Sequence, residues 1–144
     1  MQVSVLNGVN LNMLGKRDPA IYGALTLSQL ETEIYGWAAS YGMTVRCAQT
    51  NSEGEYVGMI HEACNGTAGL VVNPGAWTHY SYAIRDALEI FPGPVIEVHL
   101  SDIEHREEWR RESVIADVVD HRIVGAGADG YRQALARINE GGSA

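Results

Sequence analysis

The chain has 144 residues, enough for one domain with one sizeable core. Its net charge of −8 argues against a nucleic-acid or anionic-membrane partner, since both need a basic footprint. It leaves room for a small anionic substrate, because a few arginines can reverse the field inside one cleft. Hydrophobic residues make up 46% and charged residues 19%, as in a soluble globular protein, and no apolar run nears the roughly 20 residues of a membrane span. Two cysteines, Cys47 and Cys64, are too few for a disulfide framework and are expected to be buried and reduced.

QVSVL (2–6) is short and β-branched and predicts a first strand. The start of the chain has no basic region or apolar run of a signal peptide, so the expected location is cytoplasmic. LGKRDPAIYGALT (14–26) then falls where a short polar turn belongs, yet it holds Lys16 and Arg17, with Tyr22 between Pro19 and Gly23. Thr26 and Gln29 have capping-box spacing, and Leu27, Leu30, Ile34, Trp37, Ala38 and Tyr41 recur at helical intervals until Gly42. MTVRCAQT (43–50) predicts a second strand, 54–65 a helix, and GLVVN (69–73) a third strand whose apolar continuity buries both faces. Next come a helix over 80–91, stopped by Pro92 and Pro94, and a fourth strand over 94–100. The charged run EHREEWRRES (104–113) predicts a short helix, HRIVGAG (121–127) a fifth strand, and 129–140 a last helix. Residues 139–144 read as a frayed tail.

Strand and helix thus alternate five times with no linker-like break. The pattern predicts one α/β domain over 1–144: a three-layer, flavodoxin-like fold with a five-stranded parallel sheet and helices on both faces. In such a sheet, ligands bind beyond the carboxyl ends of the strands. The residues at those ends are Asn7, Gly8 and Asn10, then Asn51, Asn73, and His99 with Ser101. Amides, an imidazole and a hydroxyl suit a polyhydroxylated ring better than a metal or a phosphate chain.

Rival motifs are weak. GAGADG (125–130) matches a dinucleotide fingerprint, but it occupies the last strand–helix turn, and no acidic ribose ligand can follow about 20 residues on. A tight turn with close helix packing accounts for it. His99 and His105 lack further ligands at metal spacing. A receiver domain would end the third strand in aspartate, where this chain has Asn73, and NGVNLNMLG lacks the hydroxyls of a flavin-phosphate loop. In NPGAWTHYSYAIRDAL (73–88), Thr78 or His79 can cap the following helix, His79 can alternatively face the rim, and Asp86 can be a solvated charge.

Taken together, VLNGVNLNMLGKRDPAIYG, QTNSEGEYVGMIHEA, NPGAWTHYSYAIRDAL, PVIEVHLSDIEHREEWRRES and GAGADGYRQAL resemble, in order and almost end to end, the type II dehydroquinases. The resemblance implies a flavodoxin-like domain assembled as a dodecamer, a tetramer of trimers. It implies trans dehydration of 3-dehydroquinate to 3-dehydroshikimate, in the shikimate or quinate pathway, without metal or cofactor. A fold retained for ligand binding or assembly without catalysis is the alternative.

By the same resemblance Tyr22 is the base that takes a proton beside the ketone. Arg17 is its activator, since a nearby guanidinium favours the phenolate. The segment 15–23 would be a lid, with Gly15 and Gly23 at its edges. Asn10 would position a water at the enolate oxygen, and His99 would protonate the departing hydroxyl. Glu97, two residues earlier on the same strand face, can orient the imidazole. The amides of Leu100 and Ser101, with the Ser101 hydroxyl, would hold the substrate carboxylate; Asn73, His79 and Arg110 would bind ring hydroxyls; Asp86 would reach a neighbouring subunit's site. Trp77, Tyr80 and Tyr82 are candidate interface aromatics. The chain departs from the family's usual residues at Val9, Ser52, Trp77, Asp102, Glu104 and Glu112. A proline is usual at Val9 and would stiffen the approach to Asn10, while Asp102 is expected to set a like charge near the substrate carboxylate.

Overall fold

The computed structural model describes residues 1–16, 18–22 and 24–141, the Tyr22 side chain excepted. Arg17, Gly23 and the side chain of Tyr22 therefore lie outside the described residues, as does 142–144 of the expected tail. Five strands, β1 (Gln2–Asn7), β2 (Thr44–Gln49), β3 (Gly69–Asn73), β4 (Val95–His99) and β5 (His121–Val124), form one parallel sheet in the order β2-β1-β3-β4-β5. This is the flavodoxin-like winding, with the strand order reversing between β1 and β3. The helices are α1 (Pro19–Tyr22), α2 (Leu27–Ser40), α3 (Glu53–Ala63), α4 (Tyr82–Ile90) and α5 (Asp129–Asn139). None is long and apolar enough to cross a membrane among the described residues.

Alternation along the strands divides the core into two layers. Val3 and Val5 of β1, Val71 of β3, and Ile96 and Val98 of β4 pack on Leu30, Ile34 and Ala38 of α2 and on Ala134, Leu135 and Ile138 of α5. Leu6, Leu70, Val72 and Val95 face the other way, onto Tyr56 and Ile60 of α3 and Ile84 and Leu88 of α4. The same parity continues to the strand ends. Asn7 and Asn73 fall on the α2/α5 side, and Glu97 and His99 on the α3/α4 side.

Local chemistry sets the boundaries. Thr26 and Gln29 form the expected capping box, with bonds of 3.2 and 3.0 Å. Gly42 ends that run at φ 70°, a left-handed conformation that glycine adopts without strain. Ser52 caps α3 through the Glu55 amide at 3.3 Å. The helix expected over 80–91 starts later and has a different cap: Ser81 accepts from the Ile84 amide at 3.1 Å, and Gly75–His79 is a 3-10 turn. Thr78 is drawn away from capping by a buried carboxylate.

The short helix expected over 104–113 is 3-10 rather than α and is split in two. It forms two 3-10 turns, Ile103–His105 and Glu108–Arg110, with little apolar surface to bury. β5 stops at Val124, where Gly125 turns the chain at φ 78°. A Cβ on Gly130 would stand 3.2 Å from Val98 Cγ1, so GAGADG is a turn that brings α5 close to the sheet. Trp77 is 5% exposed and packs edge-on to Tyr56, so it belongs to the core and not to an interface. Cys47 and Cys64 are unpaired and half-buried, and burial pushes the Cys47 thiol up to about 12.

Candidate active site

Beyond the carboxyl ends of β1, β3 and β4 lies a cavity of about 100 Å³. It sits beside the reversal of strand order, where this fold binds ligands. It brings together Asn10, Asn73, His79, Leu100, Ser101 and Arg110, with His99 in its wall. A larger groove of about 330 Å³ runs along Arg46, Met59 and Glu62 by β2 and α3. Among the described residues no cluster of three or more His, Cys, Asp or Glu side chains could hold a metal ion.

The loop after β1 is held by close approach. The Gly8 amide donates to the Asn73 carbonyl at 2.8 Å, and a Cβ on Gly8 would meet the Pro74 carbonyl oxygen at 2.5 Å. Across the same contact a Cβ on Gly75 would stand 2.7 Å from the Val9 carbonyl oxygen. Asn10 adopts φ 70°, and its amide donates to Asn51 Oδ1 at 2.9 Å, with Asn51 held in turn by Gln49 at 3.1 Å. Asn10 is thus anchored with valine before it, without the proline usual in the family.

Glu97 is the electrostatic centre. It is completely buried, and among the described residues its carboxylate accepts from four side chains. Thr78 Oγ1 and His99 Nε2 reach Oε2, each at 2.6 Å; Ser113 Oγ and Arg122 Nε reach Oε1 at 3.1 and 2.9 Å. Burial alone pushes a carboxyl up, but the bond and charge of His99, the charge of Arg122 and the Thr78 bond outweigh it and hold Glu97 at about 2. The carboxylate is ionised, so Nε2–H of His99 donates to it and Nδ1 is the ring nitrogen left for chemistry. The pairing expected from the two-residue spacing is present.

His79 Nδ1 donates to the Glu112 carbonyl at 2.6 Å, so it is no cap, and its ring meets Trp109 edge-on. Burial lowers its proton affinity, the Glu112 bond opposes this, and His99 and Arg110 lower it further. The neutral ring then offers Nε2 as an acceptor for a hydroxyl. Arg110 stacks on Trp109 at 4.1 Å and pairs with Glu107. Asn73 is partly committed: Nδ2 donates to Tyr131 at 2.8 Å and Oδ1 accepts from the Gly75 amide at 3.2 Å.

Two expected features lie elsewhere. Asp102 does not line the cavity, and its carboxylate accepts from His105 at 2.6 Å and from the Glu104 amide at 3.1 Å. Asp86 is exposed on α4, away from this chain's own cavity. Sequence reading named Asn7 at a strand end and Thr78 as a candidate cap without their partners, and missed Ser113 and Arg122 around Glu97 and Tyr131 behind Asn73. Of these, Arg122 left a faint signal, a charge in the strand segment HRIV beside Ile123 and Val124.

A buried carboxylate–imidazole pair in the wall of a polar cavity, at the strand ends of a doubly wound parallel sheet, is an arrangement suited to acid–base catalysis. The family model described as Dehydroquinase class II matches residues 1–139. The chain is 51% identical over 140 residues to a 3-dehydroquinate dehydratase of Pelobacter propionicus, covering 96% of this chain and 94% of that one. It is equally 51% identical over 140 residues to the 3-dehydroquinate dehydratase of Thermotoga neapolitana, covering 97% and 95%. The crystal structure of a type II dehydroquinase from Butyrivibrio crossotus superposes with a TM-score of 0.95 at 46% identity, covering 96% of this chain and 97% of that one. The chain belongs to the class II dehydroquinase family.

Proposed function

We propose that this chain is a 3-dehydroquinate dehydratase, a hydro-lyase that removes water from 3-dehydroquinate to give 3-dehydroshikimate. The observation that carries the reading is the Glu97–His99 pair, a proton donor oriented by an ionised carboxylate in the wall of the cavity. A fold kept only for binding would have little use for a fully buried ionised carboxyl, which is costly to desolvate.

The reaction takes a proton from the carbon beside the ketone, passes through an enolate and expels a hydroxyl. Tyr22, activated by Arg17, is the base. A water on Asn10 meets the enolate oxygen. His99 delivers a proton from Nδ1 to the departing hydroxyl, because hydroxide is otherwise a poor leaving group. The amides of Leu100 and Ser101 and the Ser101 hydroxyl hold the carboxylate. Arg110, the free acceptor of neutral His79, and Asn73 take the ring hydroxyls. No cofactor has a part in these steps.

The exposed Asp86, with Tyr80 at 59% and Tyr82 at 66% exposure beside it, suits a subunit contact that completes a neighbour's site. The functional assembly is then a trimer-based dodecamer in the cytoplasm. The test is to add 3-dehydroquinate to purified protein and follow the ultraviolet absorbance of the conjugated enone, with and without chelator. Steady absorbance growth in both is expected, and no growth in either refutes the activity. Sedimentation of a fully active monomer would remove the assembly and the role of Asp86.

A further inference from the structure

The four partners of Glu97 differ in a way that matters for proton transfer. Thr78 and Ser113 are neutral hydroxyls, and His99 changes charge whenever its ring gains or loses a proton. Arg122 alone brings a charge that is fixed at any working pH. The β4–β5 register sets Glu97 directly beside Arg122, and Nε meets Oε1 at 2.9 Å. Arg122 does not line the cavity. Its Nη2 is buried with no hydrogen-bond partner among the described residues, a desolvation cost that an aliphatic side chain here would avoid.

We propose that Arg122 is a positioning residue for the dehydration: it keeps Glu97 an ionised, acceptor-only carboxylate whatever the protonation state of His99. Nε2–H then stays on Glu97, and Nδ1 is the nitrogen that gives up and regains the catalytic proton. The inference rests on the reading of His99 as general acid. As the C–O bond breaks, its electron pair goes to oxygen, which takes the Nδ1 proton and leaves as water. The enolate electrons form the new C=C bond and the ketone is restored. The imidazole is left neutral, with its remaining proton on Nε2.

Without Arg122 the buried carboxylate would face two neutral hydroxyls and the ring. It would then draw the Nε2 proton onto itself, leaving the ring's remaining proton on Nδ1, or grip the doubly protonated ring so firmly that Nδ1 releases its proton less readily, and either change slows delivery to the departing hydroxyl. Among the described residues, the other charged or titratable groups facing the pair are His79, Arg106 and Arg110 around the cavity and the Tyr56 phenol behind it. His79 gives Nδ1 to Glu112, Arg110 gives Nε to Glu107, and Tyr56 gives its hydroxyl to the Leu6 carbonyl.

Ring ¹⁵N spectra of His99 at pH 8, above the usual imidazole range, test this in wild type, Arg122→Met and Arg122→Lys, beside kcat and KM. Wild type should show a protonated Nε2 and a bare Nδ1. Arg122→Met should show a second ring proton, or the proton moved to Nδ1. Its kcat should fall about tenfold, the order carried by outer partners of a working imidazole, with KM within about twofold. Arg122→Lys should restore the wild-type pattern and most of kcat. A folded Arg122→Met with the wild-type ring pattern overturns the proposal, as does an Arg122→Lys protein that behaves like Arg122→Met. If Arg122→Met does not fold, Arg122→Gln, a donor without charge, takes its place with the same expected pattern. The spectra need no turnover: a ring change in a protein that does not dehydrate 3-dehydroquinate supports Arg122 and refutes the proposed activity.

Discussion

Two buried polar networks flank the same cavity from opposite faces of the sheet. On the α2/α5 face the Tyr131 hydroxyl donates to Asn7 Oδ1 at 2.6 Å and accepts from Asn73 Nδ2 at 2.8 Å. On the α3/α4 face Glu97 gathers Thr78, His99, Ser113 and Arg122. Both acids are buried, yet burial raises the Tyr131 phenol and leaves it neutral, whereas Glu97 is ionised at about 2. The partners decide. Burial keeps the proton on the phenol and the Asn73 bond opposes this only in part, while at Glu97 a guanidinium, an imidazole and two hydroxyls together outweigh burial and stabilise a carboxylate that has lost its proton. One network shapes the cavity, and the other can move a proton.

The sharpest test of that division removes the group that moves. His99→Ala should lower kcat by ~10²–10⁴-fold and leave the circular dichroism unchanged, since His99 ends a strand at the cavity wall. Near-normal turnover in the folded variant would reassign the acid.

Breaking the charged network at its centre should appear in stability as well. The folded carboxyl of Glu97 lies at about 2 against an ordinary 4.5, so its stabilisation is present above about 4.5 and is lost as pH falls toward 2. Urea midpoints measured from pH 6 to pH 2 should fall steeply across that window in wild type and less so in Glu97→Gln. At pH 7 the variant should be less stable by ~3 kcal/mol, as when one partner of a buried pair is removed. Equal slopes in the two proteins would place the acid response elsewhere.

The neutral network should give the smallest effect. Tyr131→Phe strands the Asn7 carbonyl oxygen and the Asn73 amide, at a cost of ~1–3 kcal/mol in denaturant unfolding. Through Asn73 it should raise KM more than it lowers kcat. A kcat loss as large as that of His99→Ala would erase the distinction between the two faces.

Much of this was legible along the chain because it is local. Period-2 and period-3.6 patterns placed all five strands and the longer helices, and the Thr26–Gln29 box marked the start of α2 before any packing was known. The two-residue spacing of Glu97 and His99 on one strand was sufficient to pair them. Elsewhere local signals competed with distant ones. Thr78 has the right side chain to cap α4, but Glu97, 19 residues away, takes its hydroxyl, and Ser81 caps instead. Asp102 looked like a charge at the substrate carboxylate until His105 and the Glu104 amide engaged it.

What the sequence determined alone was the alternation of elements, the parallel sheet, the strand-end residues and the family, all written in periodicity and in motifs read within one segment. What only the tertiary structure decided was which side chains from different segments share a proton or a charge. Arg122 meets Glu97 from 25 residues away and Tyr131 meets Asn7 from 124. Each such meeting depends on strand register and sheet face, which are fixed only when the two apolar layers close. A pattern along one strand shows which way a side chain points; the packed sheet supplies what it points at.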